Sequence, residues 1–227
     1  NSASGYWEYE YDTIVLTSGT LYSLEAVATD SSGRTRIAAL ANGFYPDNDV
    51  PLPTITDPSD GNYEYGTSAA LQVTTTDLTL TKLNYRIDDG AWVDIPDISS
   101  PHDVTWDTTV YTDGLHTITV RATDAIGHVE TSSVDIFVDN HDPVCVINTP
   151  VNNQFVERTV AFQVSAGDEV GISQVTMTIV NTTIDNVSIA YNSQSGYYEY
   201  ILLSTTIPDG DYTVLAWAHD SAGRTTM

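Results

Sequence analysis

The chain has 227 residues, enough for one large domain or about two of ordinary size, and its 41% hydrophobic content is ample for buried cores. Its 31 acidic residues against 7 basic ones give a formal net charge of -24. That charge repels nucleic acid and anionic lipid headgroups and favours cations or basic partners.

Asp dominates the acids and Lys82 is the single lysine. Asp suits turns and short calcium loops, although adaptation to high salt gives the same bias. Cys145 stands alone in the apolar run PVCVIN, so no internal disulfide framework exists and a small packed side chain is expected. No signal peptide or membrane-spanning run is visible, and no membrane insertion is expected in this segment.

In chain order, the stretch SGYWEYEY (4–11) alternates, placing Tyr6 on one face of a strand and Trp7, Tyr9 and Tyr11 on the other. The next strand signal is YSLEAVATDSSGRT (22–35), with Leu24, Ala26 and Ala28 inward. An acidic joint, YPDNDVP (45–51), precedes a run of strands with turn signals, among them the hairpin YRIDDGAW (85–92). The strand HTITVRATDAIGHV (116–129) follows, with Ile118, Val120 and Ala122 inward, then SSVDIFV (132–138) and a second joint, VDNHDP (138–143). Residues 143–165 repeat the pattern of 51–74, aligning Pro58 with Pro150 and Tyr63 with Phe155. SGYYEYIL (195–202) echoes the opening stretch, and YTVLAWAHDSAGRT (212–225) echoes the other two A-x-D-x-x-G strands.

Asp30, Asp124 and Asp220 therefore mark one point in three copies, 94 and then 96 residues apart. A repeat of about 95 residues is the size of one immunoglobulin-like sandwich. The expected fold is all-β, as tandem Ig-like β-sandwiches. Residues 1–48 are expected to be the C-terminal half of one domain, 49–140 a complete domain, and 141–227 a domain lacking its last strand. The outer copies resemble each other more than the middle one, hinting at an alternating two-unit repeat of about 191 residues. The expected parent is a longer array, or one whose end units neighbouring subunits complete by strand donation.

The ordered motifs P-x-I-x-x-P, IDDGAW, W-x-x-T…DG-x-H-x-I-x-V-x-A-x-D-x-x-G and VDN…P resemble the tandem Ig-like domains of bacterial and archaeal cell-surface proteins, S-layer proteins and adhesins. That resemblance implies a non-enzymatic extracellular spacer, lattice or adhesion element, archaeal by preference, whose partners are neighbouring Ig-like domains or copies of itself. Two alternatives are a filament subunit and a carbohydrate-binding region of a secreted enzyme, the latter contacting glycans. The third copy departs from the family pattern, with MTIVNTTIDNVS (177–188) replacing the IDDGAW element.

The scattered histidines and turn-placed carboxylates match no catalytic constellation, so no enzymatic role is expected. The joints carry a weaker similarity to cadherin repeat ends, which implies calcium held by Asp124, Asp139, Asn140 and Asp142, with Asp30, Asp47 and Asn48 as counterparts. Against this stands the turn-capping role that Asp has after a strand. Asn181 and Asn186 begin N-x-S/T sequons. Trp106 and Trp92 are expected to pack. Leu215 and Trp217 lie out of phase with inward Ala216 and Ala218, on a face expected to meet a neighbour.

Overall fold

A computed structural model describes residues 7–39 and 43–227. The expected strand over 4–11 lies partly outside them, since 4–6 are not described, and Trp7–Tyr11 carry no strand pairing. Among the described residues the regular structure is strand and short 3-10 turns, with no α-helix.

The first repeat supplies β1 (Glu25–Thr29) and β2 (Thr35–Ala39). The second supplies β3 (Leu52–Asp57), β4 (Tyr63–Glu64), β5 (Ala69–Thr76), β6 (Leu80–Ile87), β7 (Val93–Asp94), β8 (His102–Trp106), β9 (Gly114–Asp124) and β10 (Val129–Val138). The third supplies β11 (Val144–Thr149), β12 (Thr159–Gly167), β13 (Ile172–Ile179), β14 (Val187–Ser188), β15 (Ala190–Asn192), β16 (Tyr197–Leu203), β17 (Val214–Asp220) and β18 (Thr225–Thr226). Five sheets result, in the orders β1-β2, β3-β5-β8, β4-β10-β9-β6-β7, β11-β12-β16-β15 and β14-β13-β17-β18.

By contact the chain gathers into two compact units. One comprises Asn1–Thr56, Gln72–His102 and Thr119–Ser133; the other comprises Asp57–Leu71, Asp103–Ile118 and Val134–Met227.

In the first unit β1 and β2 form an antiparallel hairpin in the register Glu25↔Ala39. Every residue of both strands is exposed, so the inward set Leu24, Ala26 and Ala28 has no second layer over it among the described residues. Elsewhere in this unit period-2 alternation does its expected work: Val73, Leu83, Ile87, Val120 and Ala122 are all buried. The Asp88-Asp89 pair forms the β6–β7 turn, with Asp88 at φ 50 and the Gly90 amide donating to the Ile87 carbonyl. His102 opens β8 fully buried, its ring bonded to the Asp97 carbonyl and the Thr75 hydroxyl.

Trp92 lies half-buried between two guanidinium groups, Arg121 at 4.1 Å and Arg86 at 4.8 Å from its ring. Arg121 also donates to Asn84, which is fully buried. We expect Trp92→Ala to cost about 1–2 kcal/mol, from two cation–π contacts and lost packing. A urea midpoint indistinguishable from the parent would contradict that.

In the second unit the third repeat is a sandwich of two four-stranded sheets. Across β13 and β17 the inward pairs are Val175↔Ala218, Met177↔Ala216 and Ile179↔Val214; across β12 and β16 they are Phe162↔Tyr200 and Val164↔Tyr198. These side chains form one cluster with Val160, Ile184, Ile189 and Leu202. Cys145 packs half-buried against it as a free thiol whose pKa burial pushes up, which fits a packing role. Trp106 is buried, as expected. Tyr63 stacks on Phe137 at 5.3 Å, whereas its aligned partner Phe155 is fully exposed.

Candidate functional site

The same turn follows β1, β9 and β17. In each the Asp at the strand's end donates its backbone amide to the carbonyl of the residue four positions on, and the glycine between sits at positive φ: Gly33 at 85, Gly127 at 102, Gly223 at 91. A side chain there would force a left-handed conformation on an L-residue, which is why glycine recurs. The carboxylates cap these turns. Asp30 Oδ1 accepts from the Ser32 and Arg34 amides, Asp124 Oδ1 from those of Ile126, Gly127 and His128, and Asp220 Oδ1 from that of Arg224. Asp30 stops there: it is exposed, and its bonds to Ser32 and Arg34 hold its pKa below the usual value. Asp124 and Asp220 are buried and each has a second oxygen to direct elsewhere.

Each joint divides its two residues between two tasks. Asn48 turns back onto the 3-10 turn Thr13–Val15, its amide side chain donating to the carbonyls of Thr13 at 2.9 Å and Leu16 at 3.2 Å. Asn140 does the same at the turn Thr108–Val110. Its Nδ2 donates to the Thr108 carbonyl, and its Oδ1 accepts from the Gly66 amide and the Thr108 hydroxyl. The asparagines of both joints are thus spent on the repeat that precedes them.

The aspartates point the other way. Asp47 stands with Asp77 and Asp124, and Asp139 with Asp168 and Asp220; within each trio one carboxylate oxygen per residue lies within 4.8 Å of the others. The trios occupy matching positions of successive repeats: linker, end of the strand β5 or β12, and A-x-D-x-x-G turn. So the linker Asp meets the turn of the repeat that follows it, and Asp30 belongs to neither trio. Asp142 is exposed, 3.4 Å from the Arg224 Nε. Asp77 and Asp168 carried no motif, yet each stands three residues beyond the aligned strands 51–74 and 143–165, in LQVTTTD and FQVSAGD.

The two trios differ in how their charge is met. Around Asp124 the His128 ring lies 2.7 Å from Oδ2 and also meets the Asp49 carbonyl. Burial works to raise the Asp124 pKa, but the His128 and Gly127 amides and the His128 ring outweigh it and hold it low. Burial and the neighbouring Asp47, Asp124 and Asp49 raise Asp77, against a bond from the Thr79 amide. Thr79 also donates its hydroxyl to Asp47 Oδ2.

Asp139 is more isolated. It is 0% exposed, neither of its carboxylate oxygens has a hydrogen-bond partner, and Arg224 Nη1 approaches Oδ1 only to 3.7 Å. Burial, then Asp168, Asp220 and Asp113, push its pKa up to about 6 against the pull of Arg224.

The bond to Asp124 raises the pKa of His128 above its ordinary 6.5. Its stabilisation is complete below that value and is lost as pH climbs through the raised one. In chelator, melting temperature should fall as pH rises above about 6.5 and through the raised value, and His128→Gln should make that fall shallower. Equal slopes in the two proteins would contradict the assignment.

The other predicted positions are placed as follows. Asn181 and Asn186 are exposed in left-handed turn conformations, φ 63 and 49. Leu215 and Trp217 are half-buried opposite Thr178 and Thr176, which are buried. Trp217 aligns with Arg121, so the indole on this face comes from β17 in the third repeat and from the GAW hairpin in the second.

A family model described as "Bacterial Ig domain" matches residues 51–120 and 143–216, more than half of the chain. None of the curated proteins compared gives a significant match. Among solved structures, the fibronectin(III)-like modules of Clostridium thermocellum CbhA are similar at 19% identity and a TM-score of 0.45, over 78% of this chain and 90% of that one. A tetra-tandem repeat from the extending region of a large adhesion protein is similar at 22% identity and a TM-score of 0.42, over 89% of this chain and 53% of that one. A 1.5-MDa bacterial ice-binding adhesin matches at 17% identity and a TM-score of 0.39, over 78% and 62%.

Proposed function

The chain belongs to the bacterial Ig domain family, and from that premise we propose that it is a non-enzymatic segment of an extracellular array, serving as a spacer, lattice or adhesion element on a prokaryotic cell surface. The observation that carries this reading is the joint. Asn48 and Asn140 seat the same residue type on the same turn of the preceding repeat, and Asp47 and Asp139 enter equivalent acid trios of the following one. A connection built twice to one plan suits head-to-tail repetition, and hence a mechanical task. The acidic surface of net charge -24 agrees with work in cation-rich surroundings. The partners on this reading are neighbouring Ig-like domains or copies of the chain.

Antibody raised against this chain should label intact, unpermeabilised source cells, and surface proteolysis should remove the signal. Labelling that appears only after permeabilisation would overturn the reading.

One observation favours a second arrangement. Leu24, Val27 and Ile37 are exposed around a hairpin with both faces open among the described residues, a surface that a strand from a second copy would cover. Light scattering decides between them: strand donation requires concentration-dependent oligomers, and a monomer at about 100 μM rejects it.

A further inference from the structure

We propose that Asp139, Asp168 and Asp220 bind one hard divalent cation of the calcium class, which fastens the linker aspartate to the two loops of the third repeat that face it. Oxygen atoms are left over at this site. Asp168 at the end of β12 spends Oδ1 on the amides of Val170 and Gly171, and Asp220 at the end of β17 spends Oδ1 on that of Arg224. The remaining Oδ2 of each is buried and has no hydrogen-bond partner, and neither oxygen of Asp139 has one. Four carboxylate oxygens from three elements are therefore buried without a hydrogen bond, and one oxygen from each residue lies within 4.8 Å of the others. Asp139 is 0% exposed and Asp220 is 1% exposed. Buried polar atoms are paired in folded proteins, and a carboxylate stripped of both water and donors is the costliest kind to leave alone.

Arg224 is the competing explanation, and charge decides against it as the sole partner. Its guanidinium brings one positive charge to three carboxylates, stands 3.7 Å from Asp139 Oδ1, and directs Nη1 to the Asp139 carbonyl at 3.2 Å and Nε toward Asp142. The site is left about two negative charges in excess, which one dication neutralises. An all-carboxylate donor set selects a hard cation over zinc or copper. Both oxygens of Asp139 are free for bidentate ligation, which calcium's flexible six- to eight-oxygen shell accepts and magnesium's strict octahedron disfavours. Water would complete the shell.

The equivalent trio Asp47, Asp77 and Asp124 does not carry the same claim. Asp47 Oδ1 and Asp77 Oδ2 are also buried without a hydrogen-bond partner, but Asp124 has both oxygens partnered through its turn and His128, and no residue there matches Asp139 in leaving both oxygens bare.

The experiment is a calorimetric titration of the full chain, stripped with chelator, with calcium chloride and separately magnesium chloride, alongside Asp168→Asn and Asp142→Asn. Binding in the range of extracellular calcium modules, about 10⁻⁴–10⁻³ M, is expected, with magnesium at least about tenfold weaker. Asp168→Asn should lose one site, or at least about tenfold in affinity, while melting in chelator no lower than the parent. Asp142→Asn, outside the trio, should bind as the parent does. No calcium heat up to about 5 mM, or unchanged stoichiometry and affinity in Asp168→Asn, overturns the proposal. Neither result bears on where the protein works, which the labelling of intact cells decides separately.

Discussion

Replacing Asn140 by Ala should destabilise the protein by about 3 kcal/mol, the largest loss expected from any surface-connected position. Three hydrogen bonds disappear together: Oδ1 to the Gly66 amide at 3.0 Å, Oδ1 to the Thr108 hydroxyl at 2.8 Å, and Nδ2 to the Thr108 carbonyl at 3.1 Å. Each is worth about 1 kcal/mol net, more where the abandoned partner is buried, and Thr108 is 0% exposed. The backbone amide of residue 140 keeps its bond to Asp113, so the linker is loosened rather than released. Asn48→Ala should cost less, because only the two carbonyls of Thr13 and Leu16 lose a donor. A urea midpoint for Asn140→Ala equal to that of Asn48→Ala would show that the two joints are not graded in this way.

Asp139→Asn should reverse its sign with the medium. In chelator at neutral pH or above, the parent holds an ionised carboxylate in a site that prefers it protonated up to about pH 6. For an acid raised above its ordinary 3.8, the penalty is absent below that value and grows as pH rises to the folded one. Removing the charge should therefore stabilise the metal-free protein by about 2 kcal/mol at pH 7.5, an order-of-magnitude figure. With calcium present the ranking should invert, since the parent gains its cation and the variant loses its central ligand. Melting curves of both proteins, with and without calcium, check this. If the variant is the less stable in chelator as well, Arg224 already compensates Asp139 and the cation is superfluous.

The fold was legible because its signals are local. Alternation in HTITVRATD placed Ile118, Val120 and Ala122 inward, and each is 0% exposed. The same alternation in LEAVA is present but buries nothing, because inward facing becomes burial only where a second layer exists. The exchange of Trp92 for Trp217 was half legible. The missing GAW and the out-of-phase tryptophan were both visible, but that one stands in for the other needs the register Thr176↔Trp217.

The site was legible in its parts and not in its direction. Comparing the joints identifies Asp47 with Asp139 and Asn48 with Asn140, but alignment cannot say which of two flanking A-x-D-x-x-G turns each residue faces. Extended backbone does say something, because neighbouring side chains leave it on opposite sides. An Asp-Asn pair in a straight linker therefore cannot place both side chains in one cation site, and here Asn grips backward while Asp reaches forward. Asp77 and Asp168 were missed because an Asp that ends a strand resembles any turn residue until its free oxygen is located in space.

The most direct test is a high-resolution crystal structure of the full chain grown from calcium chloride. A single strong peak is expected, with oxygens of Asp139, Asp168 and Asp220 at about 2.3–2.6 Å and Arg224 drawn aside toward Asp142. A peak-free site with the Arg224 guanidinium seated between the three carboxylates would contradict it.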